Sequence, residues 1–260
     1  MNSYIFTFFH FYIFILNALI LAAGLGTRLK PLTDTMPKAL VPVAGKPLLQ
    51  HQLERLQAAG FDRFVVNIHH FGQQIIDFLE ANHQFGLPIQ ISDERQLLLD
   101  TGGAIRQAAP LFGNDDPILI HNVDILHHID LRTFYQQSSD GADATLLVSE
   151  RNTQRYLLFD SSDRLVGWTN IQTSEVKSPF PHVHEHAADY RHLAFSGIHV
   201  VTPRLLPLMQ SWPDRFSIID FYLQACANHT IRAVEHHDTH LLDVGKIASL
   251  DEAATFFTTT

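Results

Sequence analysis

The 260-residue chain has a single cysteine, Cys226, which excludes an intrachain disulfide and suits a reducing cytosol. In its helical-looking stretch that thiol reads as a small buried hydrophobe. Charge is sparse: 17% of residues are Asp, Glu, Lys or Arg, and the formal balance is −9. With no basic run to offset phosphate repulsion, a nucleic-acid-binding role is excluded. Internal repeats are absent, including any hexapeptide repeat near the end of the sequence. A membrane span is excluded too, since about 20 apolar residues are needed. Residues 1–16 reach that length only by consuming the apolar run at 18–21. No Lys or Arg precedes Arg28, so a signal peptide lacks its basic start. Residues 1–16 are expected to be an extension outside the domain, which then covers 17–257.

What is present begins at residue 17. Ala18, Leu19, Ile20 and Leu21 form a short apolar run with the look of a buried strand. It ends in Ala22-Ala23-Gly24-Leu25-Gly26-Thr27-Arg28, where small residues let the backbone approach something bulky. Gly24 and Gly26 can present successive N–H groups to an anion, and Arg28 adds a planar positive fork. Lys38 follows between Pro37 and Pro42, a bracketing that predicts extended chain. A strand, a phosphate-sized glycine loop and two cations point to a polyphosphate site.

Two other glycine loops fail on residues. A P-loop needs four residues between its glycines and a Gly-Lys-Ser/Thr ending, whereas one residue separates Gly24 from Gly26. A dinucleotide fingerprint needs a third glycine where Leu29 stands, and an acid where the next strand ends in Asn67-Ile68-His69.

Alternating strand-like and helix-like segments from 17 to 122 predict an α/β fold with a mostly parallel, Rossmann-like sheet covered on both faces. Short segments at 144–148, 156–160 and 165–169 predict a small antiparallel lobe. Polar, His-rich residues 173–191 read as a surface loop, including His182-Val183-His184-Glu185-His186. No recognisable spacing pairs those histidines, or His236-His237, with further metal ligands. One acid stands out, Asp124, just past the strand at 118–122.

The unbroken run L-A-A-G-L-G-T-R-L-K-P-L-T-D-T-M-P-K-A-L-V-P-V-A-G-K-P, residues 21–47, resembles the signature of the sugar-1-phosphate nucleotidyltransferases, and the likeness extends to about residue 257. The short, single-domain members are the most similar, including N-acetylmuramate-1-phosphate uridylyltransferases and mannose-1-phosphate guanylyltransferase-like proteins. The resemblance implies the nucleotide-diphospho-sugar transferase fold and transfer of a nucleoside monophosphate from an NTP to a sugar 1-phosphate. UTP with N-acetylmuramate 1-phosphate leads, GTP with mannose or heptose 1-phosphate follows, and a catalytically idle nucleotide-sugar-binding regulator is the rival from another class.

By the same resemblance, Leu21, Ala22, Ala23, Gly24, Gly26, Thr27, Arg28 and Lys38 meet the triphosphate, with Arg28 and Lys38 catalytic. Glu94 and Gly102 lie where relatives read the base, a glycine N–H contributing. Asp124 and Asp243 match the Mg²⁺ carboxylates, although Val123 replaces the usual glycine. Ser196, Gly197 and Lys177 are the sugar candidates, although 175–179 departs from the family's E-K-P spacing and Tyr156-Leu157 stands where Tyr-Gly is common. His121 is a candidate supporting group near Asp124. The expected setting is the cytoplasm, with self-association left open.

Overall fold

The computed structural model describes residues 15–113, 115–138, 141–236 and 241–256. Most of the expected extension, His237 and the expected domain end at 257 lie outside them. Leu16, expected in the extension, is already tied to the domain. Its N–H donates to Asp62 Oδ2 at 3.2 Å, and its carbonyl accepts from the Asp62 and Arg63 amides at 3.0 and 3.2 Å.

Ten strands form the main sheet. In chain order they are β1 (Asn17–Leu21), β2 (Arg63–Ile68), β3 (Ile89–Asp93), β4 (Ile118–Asn122) and β5 (Ala144–Ser149). Then come β6 (Arg155–Phe159), β7 (Leu165–Asn170), β8 (Glu175–Lys177), β9 (Arg191–Val201) and β10 (Ile231–Glu235). The helices are α1 (Leu48–Ala58), α2 (Gly72–Ala81), α3 (Asp100–Ala108), α4 (Leu131–Gln137), α5 (Pro181–Glu185), α6 (Ile218–Ala225) and α7 (Ala248–Phe256).

The parallel half runs β3-β2-β1-β4, with β1 hydrogen-bonded to β2 on one side and β4 on the other. Alternate residues of each strand serve opposite faces. Ala18 and Ile20 join Phe64, Val66 and Leu119 in one core with α1, α2 and α7. Leu19, Val65 and Ile120 join a second core with α3 and α6. Apolar residues therefore run consecutively at 18–21 in β1, 64–66 in β2 and 118–120 in β4, as expected for strands covered on both sides.

β9 links the two halves. Residues 198–201 pair antiparallel with β4, while Arg191, His192 and Leu193 pair with β6 of the antiparallel lobe. β5 joins the other edge of β9, with a register shift between Phe195 and His199. Gly197 sits in that irregularity at φ 77°, a left-handed conformation that glycine adopts without the Cβ penalty.

The region 173–191 is more ordered than its polarity predicts. It contains β8, paired with β7, and the short helix α5, whose Val183 is fully buried. A single apolar anchor under the histidines sets that helix against the lobe. A 3-10 segment, Leu206–Ser211, follows β9, with Pro at its start.

Candidate active site

The C-terminal ends of β1, β2 and β4 open into a cleft of about 320 Å³. β1 is the strand from which the chain proceeds to opposite sides, so this is the topological switch point where open α/β sheets bind ligands. Leu21, Ala22, Ala23 and Gly24 line it together with Lys38, Asn67, Glu94, Asn122 and Asp124.

The glycine loop is folded back onto the lysine segment. Gly26 has φ 64°, and a methyl group placed on it would sit 2.8 Å from Thr33 Cγ2 and 3.1 Å from Lys38 Cβ. Thr33 Oγ1 closes the loop by donating to the Gly26 carbonyl at 2.8 Å. Lys38 opens a single 3-10 turn, Lys38–Leu40, rather than continuing extended chain. Pro37 is extended at ψ 148° and can precede such a turn without steric conflict. Lys38 is 8% exposed and its ammonium pairs with Asp124 Oδ2.

Asp124 and Asp243, 119 positions apart in sequence, meet beside this pair. A two-residue ladder joins Ile125–Leu126 to Leu242–Asp243, and the Val244 N–H donates to the Asp124 carbonyl at 2.9 Å. Burial first, then the neighbouring Asp124 carboxylate, push the Asp243 pKa up; Lys38 and Arg28 oppose this. Asp243 Oδ1 is buried without a hydrogen-bond partner among the described residues. Arg28, in the 3-10 turn Thr27–Leu29, reaches the same spot: a methyl on Gly245 would lie 2.6 Å from Asp243 Oδ1 and 2.7 Å from Arg28 Nη2. All four expected charged residues therefore converge.

The carboxylates suit a hard divalent ion. Among the described residues no cluster of three or more His, Cys, Asp or Glu side chains could hold a metal. Two protein carboxylates, one with an unused oxygen, match Mg²⁺, which fills its remaining positions with water and phosphate oxygens.

The turn carrying Asp124 is braced from several sides. Gln52 of α1 is buried and donates to the Val123 and Ile125 carbonyls at 3.3 and 2.8 Å. His121, whose pKa is pushed down to about 4 mainly by burial, is neutral at physiological pH. Its partners assign the tautomers. Ile129 N–H donates to His127 Nδ1 at 3.0 Å, so His127 Nε2–H faces His121 Nε2 at 3.0 Å and His121 Nδ1–H donates to the Asn122 carbonyl at 2.8 Å. The supporting place expected for His121 is thus a relay ending on Asn122.

Asn67 is the main residue that sequence reasoning missed. Its Oδ1 accepts from the Ala22 and Ala23 amides at 2.6 and 3.2 Å, so those N–H groups are not free for phosphate. Its Nδ2 donates to Glu94 Oε1 at 2.7 Å, and Glu94 Oε2 accepts from the Leu99 amide at 3.2 Å. Burial raises the Glu94 pKa despite these donors. The available signal was an Asn ending an apolar strand, the same strand-end position that singled out the β4 acid.

Gly102 corrects an expectation. Its N–H donates to the Phe216 carbonyl at 2.9 Å instead of facing a base, and Thr101 and Ala104 line the cleft on either side. A methyl on Gly102 would strike the Phe216 ring at 2.2 Å, so this glycine admits an aromatic side chain. Arg215, next to that ring, lines the cleft and was not anticipated.

The sugar candidates separate. Ser196 is buried with its Oγ 2.9 Å from His236 Nε2, while Gly197 faces Asn122, where a methyl would come within 2.7 Å of Nδ2. Lys177 lines a second pocket of about 500 Å³ in the antiparallel lobe. Register builds its floor: Arg155 opposes Asn170, which opposes Glu175, and Leu157 opposes Trp168, which opposes Lys177. Directly opposed residues share a face. Ser217 of this pocket lies two residues from Arg215 of the cleft, and Phe195 lies two residues from Gly197, which packs against Asn122 of the cleft.

Comparison with known proteins bears on the family and the fold. The family described as nucleotidyl transferase matches residues 17–160. An N-acetylmuramate alpha-1-phosphate uridylyltransferase of Caulobacter vibrioides is 50% identical over 109 residues, 41% of this chain and 45% of that protein. One from Neisseria meningitidis is 46% identical over 124 residues, 48% of this chain and 53% of that protein. The chain spans about half the length of these curated relatives. Among solved structures, HddC from Yersinia pseudotuberculosis, complexed with GMP-PN, superposes with TM-score 0.72 at 22% identity, covering 94% of this chain and 100% of its own. UDP-glucose pyrophosphorylase from Acinetobacter baumanii gives TM-score 0.73 at 16% identity, covering 94% and 93%. At such identities the likeness speaks to the fold alone, and it is the nucleotidyltransferase fold expected from the sequence.

Proposed function

Because the chain belongs to the nucleotidyl transferase family, we propose that it transfers a uridylyl group from UTP to N-acetylmuramate 1-phosphate, yielding the UDP-sugar and pyrophosphate. The observation that carries this reading is the meeting of Arg28, Lys38, Asp124 and Asp243 at the switch point of the sheet. The setting proposed is the cytoplasm; among the described residues no helix is long and apolar enough to cross a membrane.

An oxygen of the sugar phosphate attacks the α-phosphorus in line, the bond to the β-phosphate oxygen breaks, and pyrophosphate leaves with that electron pair. The nucleophile is already anionic, so no general base is needed. The work is electrostatic: two anions must be brought together and the charge on the departing group stabilised. Gly24, Gly26 and Thr27 offer backbone amides to the triphosphate, and Arg28 grips its β and γ end. Lys38 exchanges its Asp124 partner for the α-phosphate. Asp124 and Asp243 would hold Mg²⁺, which supplies charge neutralisation at the phosphates when bound. Asn67 keeps the loop seated by holding the Ala22 and Ala23 amides.

The test is pyrophosphate release with Mg²⁺, each NTP in turn and a panel of sugar 1-phosphates. Release is expected with UTP and N-acetylmuramate 1-phosphate. Release only with GTP and mannose or heptose 1-phosphate would replace the substrate pair, and none with any pair would favour a regulatory binder. Arg28→Ala and Lys38→Ala should each lower turnover by about two orders of magnitude, the scale for losing one positioned electrostatic group. Near wild-type turnover in either would remove that residue from the chemistry.

A further inference from the structure

The second pocket has an unbalanced charge. Its two acids, Asp220 and Glu175, both lie within ion-pair range of Lys177, at 3.6 and 3.9 Å. That ammonium also sits 5.2 Å from the centroid of the Trp168 ring. Lys177 is thus compensated twice and occupied by an aromatic face. The other two cations on the pocket wall are not. Arg151 donates from Nη2 to the Phe195 carbonyl at 3.0 Å, and Arg155 stands at the exposed end of β6. Among the described residues neither guanidinium has an acidic partner. In a chain with a formal charge of −9, two uncompensated guanidiniums on one pocket wall make a local anion site.

We infer that Arg155, assisted by Arg151, binds a carboxylate on the acceptor sugar, so that this pocket selects acidic sugar 1-phosphates; the inference rests on the acceptor proposed above. The pocket is linked to the reaction cleft through the 215–217 segment and the Gly197 turn but shares none of its cations, which separates an anion on the sugar body from the phosphate that reacts. Trp168 and Leu157 give the ring an apolar floor, and a guanidinium fork matches a carboxylate in two parallel hydrogen bonds. N-acetylmuramate differs from N-acetylglucosamine by a lactyl ether whose carboxylate is the only added charge.

The experiment compares kcat/KM with UTP for N-acetylmuramate 1-phosphate and N-acetylglucosamine 1-phosphate. It uses the full chain, Arg155→Ala, Arg155→Lys and Arg151→Ala/Arg155→Ala. The preference for the acidic sugar should fall about 10- to 100-fold in Arg155→Ala, the range for a hydrogen bond to a charged group, chiefly through KM. It should fall further in the double variant, and Arg155→Lys should recover part of it. A preference unchanged in both alanine variants overturns the inference, whether both substrates lose equally (a grip on the shared phosphate) or neither loses. Wild-type turnover of other sugar 1-phosphates but not of N-acetylmuramate 1-phosphate would overturn the acceptor reading and this inference together. A wild-type preference that survives the substitutions overturns the inference alone.

Discussion

Gln52 spends its amide nitrogen on two carbonyls that bracket Asp124, yet its Oε1 is buried without a partner among the described residues. An unpaired buried acceptor costs about 1–3 kcal/mol, so stability alone would favour an apolar side chain there. The compensation is the orientation of the Asp124 turn. Gln52→Leu should therefore raise the Mg²⁺ concentration for half-maximal rate about tenfold while the protein stays folded, as rates across a MgCl₂ series would reveal. Unchanged Mg²⁺ dependence would reduce Gln52 to packing. Glu94 presents a different buried charge. Burial raises its pKa above the ordinary 4.5, so the folded state holds the proton more tightly than the unfolded chain. Its contribution is therefore most favourable below the unfolded value and is lost as pH climbs through the folded value. Glu94→Gln removes that dependence. The melting temperature of wild type minus variant should be largest near pH 4 and shrink toward pH 7. A difference that grows with pH would mean that the Asn67 and Leu99 donors outweigh burial.

Helix α3 shows how an element is placed by what it lacks. Gly102 and Gly103 leave room for the chain at 214–216: a methyl on Gly103 would meet the Asp214 carbonyl at 2.4 Å, and the Phe216 N–H returns a hydrogen bond to the Leu99 carbonyl at 3.1 Å. Because the obstacle is backbone, Gly103→Ala should cost about 1–3 kcal/mol, the usual range for overpacking, measured by urea unfolding. It should also shift Arg215 in the cleft. Loss of stability below that range would show that the 214–216 segment yields. The same contacts explain which parts of the site were legible. Asp124 stood out because a strand end is local, whereas Asp243 was expected only through the family signature, its D-V-G being a weak signal alone. Gly102 was misread because its partner is Phe216, more than a hundred positions later, and nothing local distinguishes a glycine that admits a ring from one that admits a base. Asn67 was used only to exclude a dinucleotide loop. Its grip on Ala22 and Ala23 exists only once β1 and β2 lie side by side. Strands β1, β2 and β4 were readable from apolar runs, whereas β8 and α5 were hidden because one buried valine anchors an otherwise polar stretch.

Across the whole molecule, one conflict shapes the cleft. The fold draws two mutually repelling carboxylates from distant parts of the chain into a half-buried corner and sets Lys38 and Arg28 against them. The raised Asp243 pKa records the conflict: burial and Asp124 together outweigh the two cations. The proposed function requires the carboxylates to be charged; stability without a ligand does not. Asp243→Asn removes one charge with little change in shape. In EDTA its melting temperature should rise above wild type by a few degrees, the response of a domain this size to about 1 kcal/mol. Adding MgCl₂ with UTP should raise the wild-type melting temperature through ligand linkage and leave the variant nearly where it was. Turnover in the variant should fall by about two orders of magnitude or more. A variant that melts below wild type in EDTA would mean that the Asp243 carboxylate is held by Arg28 and Lys38 more strongly than burial and Asp124 oppose it. The two acids would then be part of a settled ion-pair network and not a site waiting for a cation.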